Sequence, residues 1–479
     1  MKTVFISGNF NILHPGHQRL IKFASDLGDN LIVGVNSDFI AGDQAFISEE
    51  YRLEGIKNNV WVSEAHLLET QIEEYLEILK PDIVVKGKEW ENQKNREKKV
   101  LDKYGGRLIF TSGGPVFSSI ELLSQNNNSN EPFSNNSFFP SHFAKRHNFT
   151  KKNLLDCLDK FKGLNICVIG DLIIDEYISC TPLGMSQEDP TIVVSPTEKA
   201  RFIGGAGIVS MHASSLGARV TFLSVTGKDE ERKYAKDQLN NNNLTAYLAV
   251  DEKRNTTLKQ RFQAEGKVLL RVSNLIQDSI DKATQSELLE AFDNVLDDID
   301  LVVFSDFNYG CLPQTLVDKI ISKSKKSGKL IFADSQSSSQ VGDICRFKHM
   351  DFISATEREA RISLQNSQDG LVVLAEKLKS RSEAANIFLK LGAQGVLLYL
   401  QSNKGSDKFI TDRLLALNNS PKDTSGAVDA MLITAALSFA VEKNPFIAAC
   451  MGNIASAIQV GRMGNIPISL EEFTKALNP

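Results

Sequence analysis

The most constraining feature of this chain is a pattern that occurs twice. Short β-branched runs alternate with amphipathic helical stretches on either side of a segment that has neither period. The first series runs from Lys2 to about Leu123. It holds Thr3-Val4-Phe5-Ile6, a helix from about Gly16, Leu31-Ile32-Val33-Gly34-Val35, Trp61-Val62, a helix over Glu69 to Leu79, Asp82-Ile83-Val84-Val85 and Arg107-Leu108-Ile109-Phe110. Strands separated by helices predict a parallel sheet covered on both faces. The second series starts near Leu154, with Asn165-Ile166-Cys167-Val168-Ile169-Gly170-Asp171, Val220-Thr221-Phe222-Leu223, Leu301-Val302-Val303-Phe304, Lys329-Leu330-Ile331-Phe332, Ile387-Phe388-Leu389-Lys390 and Val396-Leu397-Leu398-Tyr399. Within it, Thr191-Ile192-Val193-Val194 and Val268-Leu269-Leu270-Arg271 read as a small lid sheet over one edge of the larger one. The fold class is therefore α/β, with domains at 1–123 and 151–479.

Between them, in residues 124–150, Asn and Ser fill 12 of 27 positions, and the segment reads as a linker. Its five phenylalanines (Phe133, Phe138, Phe139, Phe143, Phe149) are out of place in a free tether, so its second half is expected to pack on a domain surface. With 42% hydrophobic and 24% charged residues in 479, both domains can bury a core, which excludes global disorder. The 54 basic and 59 acidic side chains leave a formal charge of −5, with no footprint for nucleic acid. The chain has no apolar run long enough for a membrane span, and Met1 to Ile6 enters a strand pattern with no signal-peptide core, so no membrane association and a cytoplasmic location are expected. The six cysteines all follow residue 150 without a CxxC pair and read as buried free thiols.

The first candidate site follows the first strand, in Gly8-Asn9-Phe10-Asn11-Ile12-Leu13-His14-Pro15-Gly16-His17. A strand end, a glycine turn and a helix N-terminus converge there, an arrangement whose free backbone N–H groups suit a phosphate. Two histidines three residues apart add donors for its oxygens. This stretch resembles the G-x-F-[DN]-x-x-H-x-G-H motif of the nucleotidyltransferase superfamily of cytidylyltransferases and sugar-phosphate adenylyltransferases. Further on, Lys80-Pro81-Asp82-Ile83-Val84-Val85-Lys86-Gly87-Lys88-Glu89-Trp90 resembles the family's K-P-D-x-x-V-K-G-x-D-[YW] stretch, and Phe117-Ser118-Ser119-Ile120 its last conserved turn. The resemblance implies a Rossmann-like domain. His14 and His17 would stabilise charge on the α-phosphate as pyrophosphate leaves, and Gly8, Phe10, Asn11, Lys86, Ser118 and Ser119 would bind the nucleotide. Arg52 matches the family's arginine at the start of a helix. One departure stands out: relatives place a catalytic Lys in the loop after the second strand, whereas Asn36 to Tyr51 holds no Lys or Arg.

The second domain resembles the ribokinase (PfkB) family over nearly its whole length. The matching stretches are Gly170-Asp171-Leu172-Ile173-Ile174-Asp175, Gly204-Gly205-Ala206-Gly207, Leu391-Gly392-Ala393-Gln394-Gly395 and above all Asp423-Thr424-Ser425-Gly426-Ala427-Val428-Asp429-Ala430, against D-T-x-G-A-G-D. The resemblance implies Asp429 as the base that takes the proton of the attacking hydroxyl. It also implies Lys390, Gly392, Gly395, Thr424 and Gly426 at the nucleotide, Asp171, Asp175, Gly204, Gly205 and Asp306 at the substrate, and Glu357 near a metal. The two domains together resemble the bifunctional heptose-phosphate kinase/adenylyltransferases of lipopolysaccharide precursor synthesis, with the usual order reversed. That implies ATP, or CTP, as nucleotide, Mg²⁺ as cofactor, a sugar phosphate as acceptor and a homodimer; the alternatives are a cytidylyltransferase for another phosphorylated alcohol, or a kinase-like domain that is a non-catalytic ligand-binding or dimerisation module. Several kinase positions depart from the family. Ile208 stands for a sugar-binding Asn, Val428 for a glycine, Tyr309 for a basic residue, Asp334-Ser335-Gln336 for D-P-K, and Ser354 for the Asn of N-x-x-E. Altered or lost phosphoryl transfer is the expectation these losses raise.

Overall fold

The structure is a computed structural model that describes the chain apart from residues 1, 12, 14, 88–94, 112–137, 241–242, 265–266, 338–341, 402–409, 419–420 and 478–479. It divides into two compact units, one of Met1–Ser134 with Ser367–Leu374 and the other of Asn135–Asn366 and Ala375–Pro479.

In the first unit, β1 (Thr3–Gly8), β2 (Asn30–Asn36), β3 (Glu64–Leu68), β4 (Ile83–Gly87) and β5 (Arg107–Thr111) form a sheet in the order β3-β2-β1-β4-β5, every pair parallel. The period of two sorts each strand between two cores. Val4, Ile6, Val33 and Val35 pack with Ile21 and Ala24 of the helix Pro15–Ser25, while Phe5, Ile32 and Val84 pack with Leu76, Val100 and Leu101 on the other face. The strand order reverses between β1 and β4, a switch point at which open α/β sheets form a crevice beyond the carboxyl ends of their strands. One expected strand is displaced. Trp61-Val62 lies in a turn closed by Val62 N–H on the Asn59 carbonyl, and the strand is Glu64–Leu68. As an edge strand it buries only Leu68 fully, so its sequence, EAHLL, carries no apolar run to read.

The second unit is built on β6 (Asn165–Gly170), β9 (Arg219–Thr226), β10 (Leu244–Val250), β13 (Leu301–Asp306), β14 (Leu330–Ser335), β15 (Phe352–Thr356), β16 (Asn386–Lys390), β17 (Val396–Leu400) and β18 (Ile410–Leu414), in the order β10-β9-β6-β13-β14-β15-β16-β17-β18. Pairing is parallel from β10 through β16 and antiparallel for the last two strands. The carboxyl ends of the parallel strands thus share one rim, where Gly170, Asp306, Ser335, Thr356 and Lys390 lie. A separate four-stranded sheet, β12-β11-β7-β8, joins β7 (Leu172–Met185), β8 (Ile192–Gly205), β11 (Thr257–Ala264) and β12 (Lys267–Asn274). This is the lid read from the sequence, longer than its two apolar runs indicated.

The Phe-rich segment ends as part of this second unit. Phe143 and Phe149 are buried in its core, with Phe138 and Phe139 packed against it, and Phe133 lies outside the described residues. The His147 ring stacks on Phe446 at 3.5 Å, and its Nε2 lies 2.6 Å from Asp412 Oδ2. All six cysteines are buried and unpaired. Among the described residues no helix is long and apolar enough to cross a membrane.

Candidate active sites

At the carboxyl end of β1 the chain turns through Phe10, whose φ of 48° is left-handed and whose ring meets that of His17 edge-on at 5.1 Å. The surrounding polar groups are spent on one another. Asn36 Nδ2 donates to Asn9 Oδ1 (2.7 Å), Asn9 Nδ2 to Gln44 Oε1 (3.1 Å), Asn11 Nδ2 to the Gln44 carbonyl (2.7 Å), and the Phe46 N–H to Asn11 Oδ1 (2.9 Å). Arg52, buried, donates to the carbonyls of Ile47, Asn9 and Asn36 and pairs with Asp38. Its guanidinium therefore braces the loops on both sides of the crevice. Asn11 and Phe10 act in the same frame, and Gly8 lies against the Phe10 ring, where a Cβ would come within 3.2 Å. Lys86, at the end of β4, is paired with the buried Glu97 at 2.6 Å. His14, Ser118, Ser119 and Lys88 lie outside the described residues. The loop that lacks the family lysine thus contributes Gln44, a residue the sequence reading passed over.

In the second unit the helix Ala427–Glu442 starts from Gly426, which is left-handed at φ 73° and has no room for a side chain, since a Cβ would lie 2.5 Å from Asn465 Oδ1. Asp429 sits in the first turn of that helix, buried. Gln336 Nε2 donates to its Oδ1 at 2.9 Å and reaches Asp334 Oδ2 at 3.5 Å. Asp334 in turn accepts from Lys390 Nζ at 2.7 Å, in a pair only 1% and 6% exposed. Burial first, then the carboxylates of Asp334 and Asp175, push Asp429 up to about 7 against the pull of Lys390 and the Gln336 amide. Burial likewise holds Asp334 up at about 6 in spite of its lysine.

Asp175 completes the cluster from the lid strand β7. Arg261 Nη1 on β11 donates to its Oδ1 (2.7 Å) and Asn465 Nδ2 to its Oδ2 (3.0 Å). Gly204 must be glycine there, because a Cβ would fall 2.3 Å from Asp175 Oδ2, and Gly205 (φ 59°) would likewise strike the Asp171 carbonyl. Tyr177 links the lid to the helix-start loop, its hydroxyl 3.2 Å from both Asp423 Oδ2 and Ser425 Oγ. Thr424 is exposed in that loop.

Other expected positions are placed differently. Asp171 and Asp306 are buried at the ends of β6 and β13, and the Asp306 carbonyl accepts from the Gln336 N–H at 2.8 Å. Asp171 accepts from the N–H groups of Phe307, Tyr309 and Cys311, and Asp306 from Ser335 Oγ, Arg346 Nη2 and the Asn308 N–H. Burial and Asp306 raise Asp171 to about 6. Gly392 and Gly395 shape the turn between β16 and β17, with φ of 60° and 86°. Lys390, two residues before, spends its charge on Asp334. Ile208 is buried. Tyr309, where a basic residue is expected, has Lys259 Nζ over its ring at 4.9 Å. Glu357 Oε1 is held by Arg361 at 2.8 Å, and the Ser354 hydroxyl is buried without a hydrogen-bond partner among the described residues. No group of three metal-ligating side chains occurs among the described residues, so they do not make a protein cage for Mg²⁺. Arg261 and Asn465 were not found from the sequence. They lie 86 and 290 residues from Asp175, in stretches without a motif.

Comparison with known proteins bears on the family of each unit. Residues 164–472 match the pfkB family of carbohydrate kinases, and residues 5–112 a cytidylyltransferase-like family. The bifunctional protein HldE of Helicobacter pylori strain J99 is 30% identical over 65% of this chain and 66% of its own length, and that of Nitratiruptor sp. is 28% identical over 64% of each. The matched stretch thus spans just under two thirds of these relatives. Among solved structures, the second unit's fold resembles the phosphofructokinase-2 of Escherichia coli (15% identity, TM-score 0.53, 66% of this chain and 98% of that one). It also resembles the ribokinase of Thermotoga maritima (20% identity, TM-score 0.52, 66% and 100%). The chain belongs to the pfkB family of carbohydrate kinases, and carries a cytidylyltransferase-like domain ahead of its kinase domain.

Proposed function

We propose that the first unit transfers a nucleotidyl group from ATP, with CTP as the alternative, to a sugar 1-phosphate of the heptose type. We further propose that the second phosphorylates a heptose phosphate at its anomeric hydroxyl, both in the synthesis of a nucleotide-activated heptose. The observation that carries the kinase half is Asp429, a buried carboxylate in the first turn of a helix that opens on a left-handed glycine. A carboxylate with a proton affinity near neutrality suits a base that must take a hydroxyl proton, and the N–H groups at the helix start suit the transferred phosphate. In the transferase half, His17 beside the rigid Asn9–Asn11 frame would donate to the α-phosphate together with His14, without a covalent intermediate. Mg²⁺ would enter on the nucleotide's phosphates and neutralise their charge.

Product analysis tests both halves. With ATP and Mg²⁺, heptose 7-phosphate should release ADP, and heptose 1-phosphate should release pyrophosphate. Pyrophosphate alone would leave the second unit as a ligand-binding or dimerisation module, a reading favoured by one observation: Ile208 is buried and offers no polar group to a sugar. We also place a homodimer contact on the lid, where Leu183, Met185, Ile192 and Leu270 are 65%, 61%, 57% and 56% exposed. Light scattering that finds a monomer at high protein concentration would refute it.

A further inference from the structure

The kinase cluster has an amide where the family motif carries a lysine, and the lysine it does hold, Lys390, is elsewhere. Gln336 follows the end of β14, and its Nε2 lies between two carboxylates, 2.9 Å from Asp429 Oδ1 and 3.5 Å from Asp334 Oδ2. Lys390, across the sheet on β16, bonds to the far oxygen of Asp334. The result is a chain of side chains, Lys390 to Asp334 to Gln336 to Asp429, in which the group touching Asp429 is neutral. An amide can donate to a carboxylate and orient it without stabilising its negative charge as an ammonium group would.

We propose that Gln336 is a positioning residue for phosphoryl transfer: its amide fixes Asp429 through Oδ1 and leaves Oδ2 to accept the proton of the attacking hydroxyl. The inference rests on the kinase reading of the second unit. In the step itself the substrate O–H bond breaks and its proton goes to Asp429. The oxygen forms a bond to the γ-phosphorus as the bond to the β–γ bridging oxygen breaks, and ADP leaves with that electron pair. The charged groups that face Asp429 are Asp334 from β14, Lys390 from β16 and Asp175 from the lid strand β7, the last already paired with Arg261. Burial first, then two carboxylates against one committed lysine, push Asp429 up to about 7, so ADP formation should rise with pH through neutrality. The neutral amide thereby makes the kinase pH-sensitive in that range.

The test compares the wild type with Gln336→Lys and Gln336→Leu. The Asp429 carboxyl is followed by ¹³C NMR in protein labelled at aspartate, its signal assigned by its loss in Asp429→Asn, and ADP release from heptose 7-phosphate is measured against pH. Lysine should lower the Asp429 midpoint by about one to three pH units, the range for a carboxylate given an opposite charge at contact. Leucine, which removes the donor, should raise it, and the rate profile should follow the midpoint in each protein. A general loss of packing would lower the rate without moving the midpoint in opposite directions. ADP formation with the same midpoint in all three proteins overturns the role of Gln336 and leaves the kinase reading standing. No ADP from the wild type at any pH overturns that reading and this role together.

Discussion

In the functions proposed for them, the two units handle a phosphate with opposite materials. In the first, the groups around the crevice are neutral amides bonded to each other, and two cations, the buried Arg52 and the half-buried Lys86, are tied to carbonyls and carboxylates. In the second, carboxylates are buried within reach of one another, and three of them, Asp171, Asp334 and Asp429, are held at about 6, 6 and 7. A fixed frame of dipoles needs no reorganisation as charge develops, which suits a reaction that moves no proton through the protein. Crowded carboxylates cost stability and create a proton acceptor, which suits a step that must deprotonate a hydroxyl.

The sharpest way to break this contrast is Asp429→Asn. Phosphoryl transfer should fall by about 10²- to 10⁴-fold, the usual worth of a general base, while pyrophosphate release from the first unit serves as the internal reference. The same substitution should stabilise the second unit at alkaline pH. With native values above the unfolded value near 4, these carboxyls hold protons that the unfolded chain has already lost. Stability therefore falls as pH rises from about 4 to 7. Removing Asp429 removes the largest part of that slope, at about 1.4 kcal/mol per pH unit separating the native from the unfolded value. Equilibrium denaturation at pH 5 and pH 8 checks the sign: a variant less stable than the wild type at pH 8 would place the carboxylate in a favourable environment, contrary to the contrast.

Lys390→Met should come next. It removes the cation paired with the buried Asp334, and breaking a buried pair by removing one partner costs about 3 to 5 kcal/mol. If the loss is under about 1 kcal/mol, the pair behaves as a surface pair and the buried cluster is less crowded than drawn. In the first unit, His17→Ala should reduce pyrophosphate release by about a hundredfold, the scale of one lost transition-state donor, with ADP release unchanged. An unchanged rate would remove His17 from the phosphate.

How far the sequence was legible differs between the units for the same physical reason. Runs such as Val4-Phe5-Ile6 and Val302-Val303-Phe304 become central strands because a strand buried on both faces must be apolar throughout, and that signal is local. Glu64–Leu68 was missed because an edge strand is apolar at only some positions. Motif residues were legible as types and order, but not as bonds. Asp171 and Asp175 occur in one hexapeptide, yet the first is saturated by three backbone N–H groups and the second faces Arg261 and Asn465. Lys390 was expected at a nucleotide because its motif is, whereas its partner Asp334 is 56 residues away and only the adjacency of β14, β15 and β16 brings them together.

The smallest prediction concerns the segment that carries no chemistry. Thr150 caps the helix Lys151–Asp159, its hydroxyl accepting from the Asn153 N–H at 3.4 Å while Asn153 Oδ1 accepts from the Thr150 N–H at 2.8 Å. Phe149, just before it, is buried in the second unit's core, so the cap sets the point at which the Phe-rich segment becomes part of that unit. Thr150→Ala should cost about 1 kcal/mol, the usual worth of an N-cap, without changing ADP or pyrophosphate release. Phe143→Ala and Phe149→Ala, each opening a cavity, should cost about 3 to 5 kcal/mol in the same denaturation measurement. If instead all three variants match the wild type, residues 138–150 do not contribute to the folding of the second unit. The segment would then be a tether after all, and the kinase core would begin at the helix that follows it.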